Sequence, residues 1–321
     1  MNGSNDTQLV VLHPYASSLE RILSHHIPDL ILHAGTELET VNKYLADATI
    51  LLAPTRRITD DLLKSAPRLR WIASTSAGND RLARNPNLPA SVILTKGLSH
   101  GDSMAEYVLA YLLFFGRKIG PLLEKQKQRI WDRTLPEVRP ISLRGQTIGV
   151  LGLGSIGRAV AKRAKESGMH VLGVRRHPAP VAHVDEVFGP NDLDGIIPRV
   201  DSLVVVLPLT DETHHFLGKH ELGRLLKDGA LLINIGRGKE IDEAALVDVL
   251  KTGRIRVVLD VCETEPLPHD SELWGLDNVI LTPHVSGIAS PADVCEGFIS
   301  NFRRWERGEP LLGMVDRTKG Y

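Results

Sequence analysis

The chain reads Thr147-Ile148-Gly149-Val150-Leu151-Gly152-Leu153-Gly154-Ser155-Ile156-Gly157 at the point that decides its fold. An apolar strand here runs into a Gly-x-Gly-x-x-Gly turn, and a helical pattern at 158–167 and a second strand at His170–Val174 follow. Such glycines let the backbone approach a pyrophosphate, and the helix N-terminus offers it unpaired N–H groups. A purely structural turn is the alternative, but the order strand, turn, helix, strand favours a dinucleotide site. The predicted phosphate-binding residues are Gly152, Gly154, Ser155, Ile156 and Gly157.

The residues after the second strand indicate which dinucleotide binds. Sites for NAD usually carry an acid roughly 20 residues after the glycines, where it accepts hydrogen bonds from the ribose hydroxyls. This chain has Arg175 and Arg176 there, followed by His177 and Pro178. Guanidinium groups bind a 2′-phosphate that a carboxylate would repel, so the pair predicts NADP(H) in preference to NAD(H). Two solvated charges at a strand end are the alternative.

Length and composition limit the class of protein. With 321 residues, 42% of them hydrophobic, the chain can form two domains with a cleft between them. A formal net charge of -1 argues against nucleic acid and membrane surfaces as partners. The longest apolar run, 107–115, is well short of the roughly 20 residues that span a bilayer. Two cysteines and a polar N-terminus favour a cytoplasmic protein, and no residue is assigned to a metal.

Short β-type runs alternate with helical patterns in both halves of the chain, which predicts α/β structure with parallel sheets. The predicted strands are 9–12, 30–32, 49–52, 71–74 and 92–94, then 147–151, 170–174, 202–207, 230–233, 257–259 and 279–281. The proline-rich segment 178–198 reads as a loop with a short helix. A final amphipathic helix, at about 291–307, could return to the first domain.

Three polar clusters follow strands in the second half, where the carboxyl ends of parallel strands form a ligand-binding crevice. Arg237 stands between two glycines, Asp260, Glu263 and Glu265 form an acid-rich turn, and His284 lies in a strand-to-loop transition. A loop cap, a solvated turn and a backbone-bonded histidine are the alternatives. Beside a nicotinamide site, however, a cation, an acid and an imidazole are what carbonyl reduction requires, because the carbonyl oxygen gains negative charge and a proton.

These residues resemble the D-isomer-specific 2-hydroxyacid dehydrogenases, and the resemblance covers nearly the whole chain. The matching motifs are Trp71 to Asp80, Met104 to Ala110, the glycine turn, Pro208-Leu209-Thr210, Arg237-Gly238 and Thr282 to Gly287. The resemblance implies His284 as acid/base, Arg237 as the substrate anchor and Glu265 as the partner of His284, with Glu263 as the alternative. It also implies further cofactor contacts from Leu207, Pro208, Thr213, Ile235, Gly236, Asp260, His284 and Gly287, and substrate contacts from Ser76, Ala77, Gly78, Arg237 and His284.

The same resemblance implies two Rossmann-like or flavodoxin-like domains and a homodimer built on the cofactor domain. We expect a discontinuous substrate domain, 1–114 plus 290–321, and an NAD(P)-binding domain at 115–289. Asn79 stands where the family usually has an apolar residue or Thr, which predicts a more polar substrate pocket. The predicted activity is NADP(H)-dependent reduction of a small 2-oxoacid of the glyoxylate or hydroxypyruvate type. The alternatives are a related enzyme acting on phosphite, formate or a sugar-acid phosphate, and a nucleotide-sensing protein like the C-terminal-binding corepressors.

Overall fold

The computed structural model describes residues 7–225 and 227–321, which form two compact units. One unit consists of Met1–His100 and Ile288–Tyr321, and the other of Gly101–Gly287. Each contains one parallel sheet with helices, so the prediction of two α/β units with parallel sheets is confirmed.

The first unit has a five-stranded sheet in the order β2-β1-β3-β4-β5. This is the order of flavodoxin-like sheets. Its strands are β1 (Gln8–Leu12), β2 (Ile31–Gly35), β3 (Ile50–Ala53), β4 (Trp71–Ser74) and β5 (Ile93–Thr95). Its helices are α1 (Ala16–His26), α2 (Leu38–Val41), α3 (Asp60–Ser65), α4 (Asp80–Ala83) and, from the end of the chain, α10 (Pro291–Glu306).

Helix α10 makes the first unit discontinuous. Ser290 caps it by accepting a hydrogen bond from the Asp293 N–H at 3.2 Å. Phe298 and Phe302 are buried in one cluster with residues of β1, β3 and β4, and the Phe298 ring stacks on Trp71 at 5.2 Å between centroids. Burying this apolar face stabilises the return of the chain to the first sheet.

The second unit has a seven-stranded sheet in the order β12-β11-β10-β9-β6-β7-β8. The strands are β6 (Thr147–Leu151), β7 (His170–Val174), β8 (Glu186–Phe188), β9 (Ser202–Val205), β10 (Leu231–Asn234), β11 (Arg256–Leu259) and β12 (Val279–Leu281). The helices are α5 (His100–Gly116), α6 (Ile119–Lys127), α7 (Ser155–Glu166), α8 (Leu193–Ile196) and α9 (Glu243–Lys251). The chain reverses direction across the sheet between β6 and β9, where such folds bind nucleotides.

The domain assignment of one segment and the secondary structure of another differ from the sequence-based expectations. Residues 101–114, expected in the first domain, lie in the second unit, because Met104, Val108 and Leu112 of α5 share one buried cluster with Ile148 of β6. The segment expected to be a loop with a short helix also contains β8, which extends the sheet beside β7. Within the described residues, every helix is too short or too polar to cross a membrane.

Candidate active site

The glycine turn joins β6 to α7, and its three glycines serve different purposes. Gly152 has a φ of 103°, and a Cβ there would lie 2.5 Å from the carbonyl oxygen of Val206. A Cβ on Gly157 would lie 1.8 Å from the carbonyl oxygen of Gly152. A Cβ on Gly154, in contrast, would meet nothing within 4 Å. The turn itself therefore requires Gly152 and Gly157, whereas Gly154 leaves bare backbone open to a ligand.

The first turn of α7 contains Ser155, Ile156 and Gly157. Gly154 is the N-cap residue and provides no side-chain hydrogen bond to this turn. Uncapped N–H groups together with the positive end of the helix dipole suit an anion. The open backbone at Gly154 and this helix start thus fit the pyrophosphate of a dinucleotide.

The two arginines after β7 differ in their surroundings. Arg175 is half-buried, and its backbone N–H donates to the carbonyl of Phe188 at 3.0 Å. Arg176 is exposed and forms an ion pair with Glu212, which lies in the loop after β9. That ion pair partly neutralises Arg176, so the two cations are not equivalent towards a phosphate.

The loop after β9 is closed by the side chain of Thr213. Its hydroxyl donates to the carbonyl of Pro208 at 2.6 Å and accepts from the backbone N–H of Thr210 at 2.7 Å. Leu207 and Pro208 lie near the start of this loop, separated from the strand by Val206. The loop therefore has a fixed conformation at the carboxyl edge of the second sheet.

The turn that carries Arg237 is held by Asn234, the last residue of β10. Asn234 is 1% exposed, accepts from the N–H of Gly236 at 3.0 Å and donates to the carbonyl of Arg237 at 3.0 Å. Gly238 lies against the acid-rich turn, since a Cβ there would be 1.9 Å from the carbonyl carbon of Cys262. Backbone contact thus brings the first polar cluster to the second.

Asp260 connects the acid-rich turn to the loop that carries His284. This carboxylate is 1% exposed. It accepts from the Thr282 hydroxyl at 2.6 Å and from the N–H groups of Val285 and Ser286 at 2.8 and 2.9 Å. The backbone N–H of His284 also donates to the Asp260 carbonyl at 2.9 Å. These bonds make Asp260 a support for the loop. Its contact with the cofactor, which the resemblance implies, stays a prediction.

His284 Nδ1 lies 2.8 Å from Oε2 of Glu265. Burial favours a higher pKa for Glu265, but the hydrogen bond from His284, the charges of His284 and Arg237 and the N–H of Cys262 together hold that pKa below its ordinary value. A carboxylate on Nδ1 places a proton on that nitrogen and leaves Nε2 to exchange a proton with a substrate. Nε2 has no hydrogen-bond partner within 7–225 and 227–321.

The other glutamate of the turn is engaged elsewhere. Glu263 Oε1 lies 2.8 Å from Nε2 of His215 and accepts from the N–H of Glu243 at 3.1 Å. Of the two glutamates left open by the sequence, Glu265 is thus the one in contact with His284. The second unit accordingly holds two separate His–Glu pairs on one turn.

The model of the family described as "D-isomer specific 2-hydroxyacid dehydrogenase, NAD binding domain" matches residues 109–286. The chain belongs to this family. It is an oxidoreductase that acts on CH–OH groups with NAD(P), as the resemblance found in the sequence implied.

The relatives of this dehydrogenase are named for different activities. A D-3-phosphoglycerate dehydrogenase of Methanocaldococcus jannaschii is 32% identical over 315 residues, which is 96% of this chain and 59% of that protein. This chain therefore spans less than two thirds of that relative. A glyoxylate/hydroxypyruvate reductase B of Pectobacterium atrosepticum is 35% identical over 277 residues, covering 84% of this chain and 85% of the relative.

Among solved structures, a D-isomer specific 2-hydroxyacid dehydrogenase from Xanthobacter autotrophicus Py2, in complex with NADPH and MES, has a TM-score of 0.84 to this chain. The two are 32% identical, and the match covers 98% of this chain and 100% of that one.

The predicted substrate loop of the dehydrogenase lies in the first unit, after β4. The backbone N–H of Ser76 donates to the Ser74 hydroxyl at 3.1 Å, and the Ser76 carbonyl accepts from the side chain of Asn79 at 3.1 Å. Asn79 is 4% exposed, and within the described residues its side-chain oxygen has no hydrogen-bond partner, so a more polar substrate pocket stays a prediction. Binding of a carboxylate by the backbone of Ser76, Ala77 and Gly78 stays a prediction.

Two supporting residues of the dehydrogenase were missed from the sequence. Asn234 reads as the end of an apolar strand, although its amide sets the Arg237 turn. Tyr107 of α5 donates to the Thr282 hydroxyl at 2.5 Å, and Thr282 in turn donates to Asp260. Burial holds the pKa of Tyr107 well above its ordinary value, so the phenol stays protonated as a donor.

Proposed function

We propose that this chain reduces a small 2-oxoacid to the D-2-hydroxyacid, with His284 as the proton donor and NADP(H) as the preferred cofactor. The observation that carries the proposal is the 2.8 Å pair between His284 Nδ1 and Glu265 Oε2. The positive charge of Arg237 contributes to the lowered pKa of Glu265, and the Arg237 guanidinium donates to the Gly236 carbonyl at 2.8 Å. Arg237, Glu265 and His284 follow three neighbouring parallel strands, β10, β11 and β12, so all three lie at the carboxyl edge of one sheet.

Each of the three residues has a role in the proposed reaction. When bound, a nicotinamide cofactor would supply a hydride to the carbonyl carbon, and the carbonyl oxygen would gain negative charge as a result. His284 donates the proton on Nε2 to that oxygen, and Glu265 stabilises the imidazolium before the transfer. Arg237 binds the carboxylate of the 2-oxoacid and stabilises the charge on the neighbouring oxygen through charge-assisted hydrogen bonds.

The preference for NADP(H) is supported by the residues after β7. Arg175 and Arg176 occupy the positions where an acid would bind the ribose hydroxyls of NAD. A 2′-phosphate carries a charge of about −1.5 to −2, which cations attract and an acid repels. The related Xanthobacter autotrophicus structure holds NADPH. Dissociation constants for NADPH and NADH test this directly, and equal values contradict the preference.

The substrate class is supported by the relatives named glyoxylate/hydroxypyruvate reductase B. The test is NADPH oxidation at a fixed enzyme concentration with glyoxylate, hydroxypyruvate, pyruvate and 3-phosphohydroxypyruvate. The phosphorylated acid is included because of the Methanocaldococcus jannaschii relative. We expect the highest kcat/KM with glyoxylate or hydroxypyruvate. Tight NADPH binding without turnover on any 2-oxoacid would instead favour a nucleotide-sensing protein.

A homodimer is supported by the apolar surface of α6 and the chain after it. Helix α6 buries none of its residues, and Leu122, Leu123, Ile130 and Trp131 are exposed, Trp131 completely. Such a patch favours association through this face. Light scattering should give twice the chain mass of 35.3 kDa, and replacing Leu123 and Trp131 by Glu should give the monomer mass. A wild-type monomer contradicts this part of the proposal.

A further inference from the structure

A groove of about 370 Å³ lies between α7 and the chain that follows β7. Its lining residues are Arg158, Ala159, Lys162, Arg175, Pro180, Val181, Ala182 and His183. Half of these side chains are basic, and none is an acid. A concave surface lined by charges of one sign concentrates the field of those charges and attracts an anion.

The basic residues of the groove are held apart from acids. Lys162, Arg175 and His183 form no ion pair with any side chain in the described part of the chain, 7–225 and 227–321. Arg158 uses its Nε to donate to the carbonyl of Leu153 at 3.0 Å, which fixes the guanidinium at the start of α7. The charges in the groove are therefore available to an external anion.

The basic residues elsewhere on α7 behave differently. Arg163 lies 3.7 Å from Asp102 and 3.6 Å from Glu166, and Lys165 pairs with Asp185 at 2.5 Å. Lys162 and Arg158 are one helical turn apart and share a face, whereas Arg163 does not line the groove. The unpaired charges of α7 are thus concentrated on the side that faces the glycine turn and β7.

His183 stands in an unusual backbone conformation for its residue type. Its φ is 66°, within the turn closed by the Val184 N–H and the Val181 carbonyl at 3.2 Å. Glycine adopts this left-handed conformation at the lowest cost. The chain nevertheless places an imidazole there, in the wall of the groove, which is an indication of a role for the side chain.

The position of the groove identifies the anion. Arg175 follows β7 at the point where dinucleotide-binding folds recognise the 2′ oxygen of the adenosine ribose. Helix α7, whose start fits the pyrophosphate, contributes Arg158 and Lys162 to the same groove. We propose that Arg158, Lys162 and His183 join Arg175 to bind the 2′-phosphate of NADP(H). This inference rests on the proposed function and adds three residues, from α7 and the 181–184 turn, to the arginines after β7.

The test compares Arg158→Ala, Lys162→Ala and His183→Gly with the control Arg163→Ala. The control removes one positive charge from the same helix at a position outside the groove. Dissociation constants are measured for NADPH, NADH and 2′,5′-ADP. We expect each groove variant to weaken NADPH and 2′,5′-ADP about tenfold and to leave NADH unchanged, because only the 2′-phosphate loses a charge-assisted hydrogen bond. The control should change none of the three.

The His183→Gly variant distinguishes an effect on ligand binding from an effect on the stability of the fold. Glycine favours the left-handed backbone at this position, so the variant should keep or raise the Tm of the wild type. A loss of 2′,5′-ADP affinity in a protein of unchanged Tm then reports the imidazole alone.

The outcomes distinguish the two proposals. A wild type that binds NADPH and NADH equally removes both the cofactor preference and this site. A wild type that prefers NADPH, with groove variants that keep the same ratio, leaves the proposed function standing and overturns the role of Arg158, Lys162 and His183. Inorganic phosphate that displaces 2′,5′-ADP at equal affinity would make the groove a general phosphate site and also overturn the inference.

Discussion

Glu265 Oε2 lies 2.8 Å from His284 Nδ1, while Glu263, two residues earlier on the same turn, lies 2.8 Å from His215 Nε2. The turn therefore directs its two carboxylates to two different imidazoles. This arrangement provides an internal comparison for each member of the proposed catalytic pair.

The two glutamates should differ sharply when each is replaced by glutamine. Glu265→Gln removes the charge that stabilises a protonated His284, and we expect kcat to fall about a hundredfold with little change in NADPH affinity. Glu263→Gln makes the same chemical change at His215 and should keep kcat within a few-fold of wild type. Steady-state kinetics with the best 2-oxoacid provide the measurement. Equal losses in the two variants would show that the effect is structural.

The glycine turn predicts a second pair of contrasting variants. Gly154→Ala places its methyl group in open space, so the Tm should not change, while NADPH binding should weaken at least tenfold because the methyl group occupies the ligand's side of the turn. Gly157→Ala directs its methyl group at the carbonyl oxygen of Gly152, only 1.8 Å away, and should destabilise the fold by about 1–3 kcal/mol. Urea unfolding and cofactor titration separate the two effects. A Gly154→Ala variant that binds NADPH normally would place the pyrophosphate elsewhere.

Glu212 should oppose the binding of NADPH. Its ion pair with Arg176 occupies a guanidinium that stands at the cofactor-selecting position. Exposed ion pairs contribute at most about 1 kcal/mol, so Glu212→Gln should raise NADPH affinity about two- to fivefold. NADH affinity is the control and should not change. An unaltered NADPH affinity would mean that Arg176 takes no part in binding the 2′-phosphate.

Local signals in the sequence predicted the strands of both sheets apart from β8, and they predicted the positions of the polar clusters. The glycine turn is confined to Gly152–Gly157, and Arg237 and His284 each lie three residues after the end of an apolar strand. Both sheets have their strands in parallel, as the alternation of short strands and helices indicated. The glycine turn and the parallel strands could be predicted because each depends on residues that are close together in the sequence.

Contacts between distant parts of the chain could not be predicted. Tyr107 and Thr282 are 175 positions apart and meet only because α5 packs on the second sheet. The choice between Glu263 and Glu265 depends on the backbone path of one turn rather than on residue type.

The role of His284 as proton donor is tested most directly by comparing His284→Ala with His215→Ala in NADPH oxidation by a 2-oxoacid. Both variants remove an imidazole that contacts a glutamate of the same turn. The account predicts that His284→Ala lowers kcat by a factor of about 100 to 10,000 at unchanged NADPH affinity, and that His215→Ala keeps kcat within a few-fold of wild type. A His284→Ala variant that turns over at the wild-type rate would contradict it.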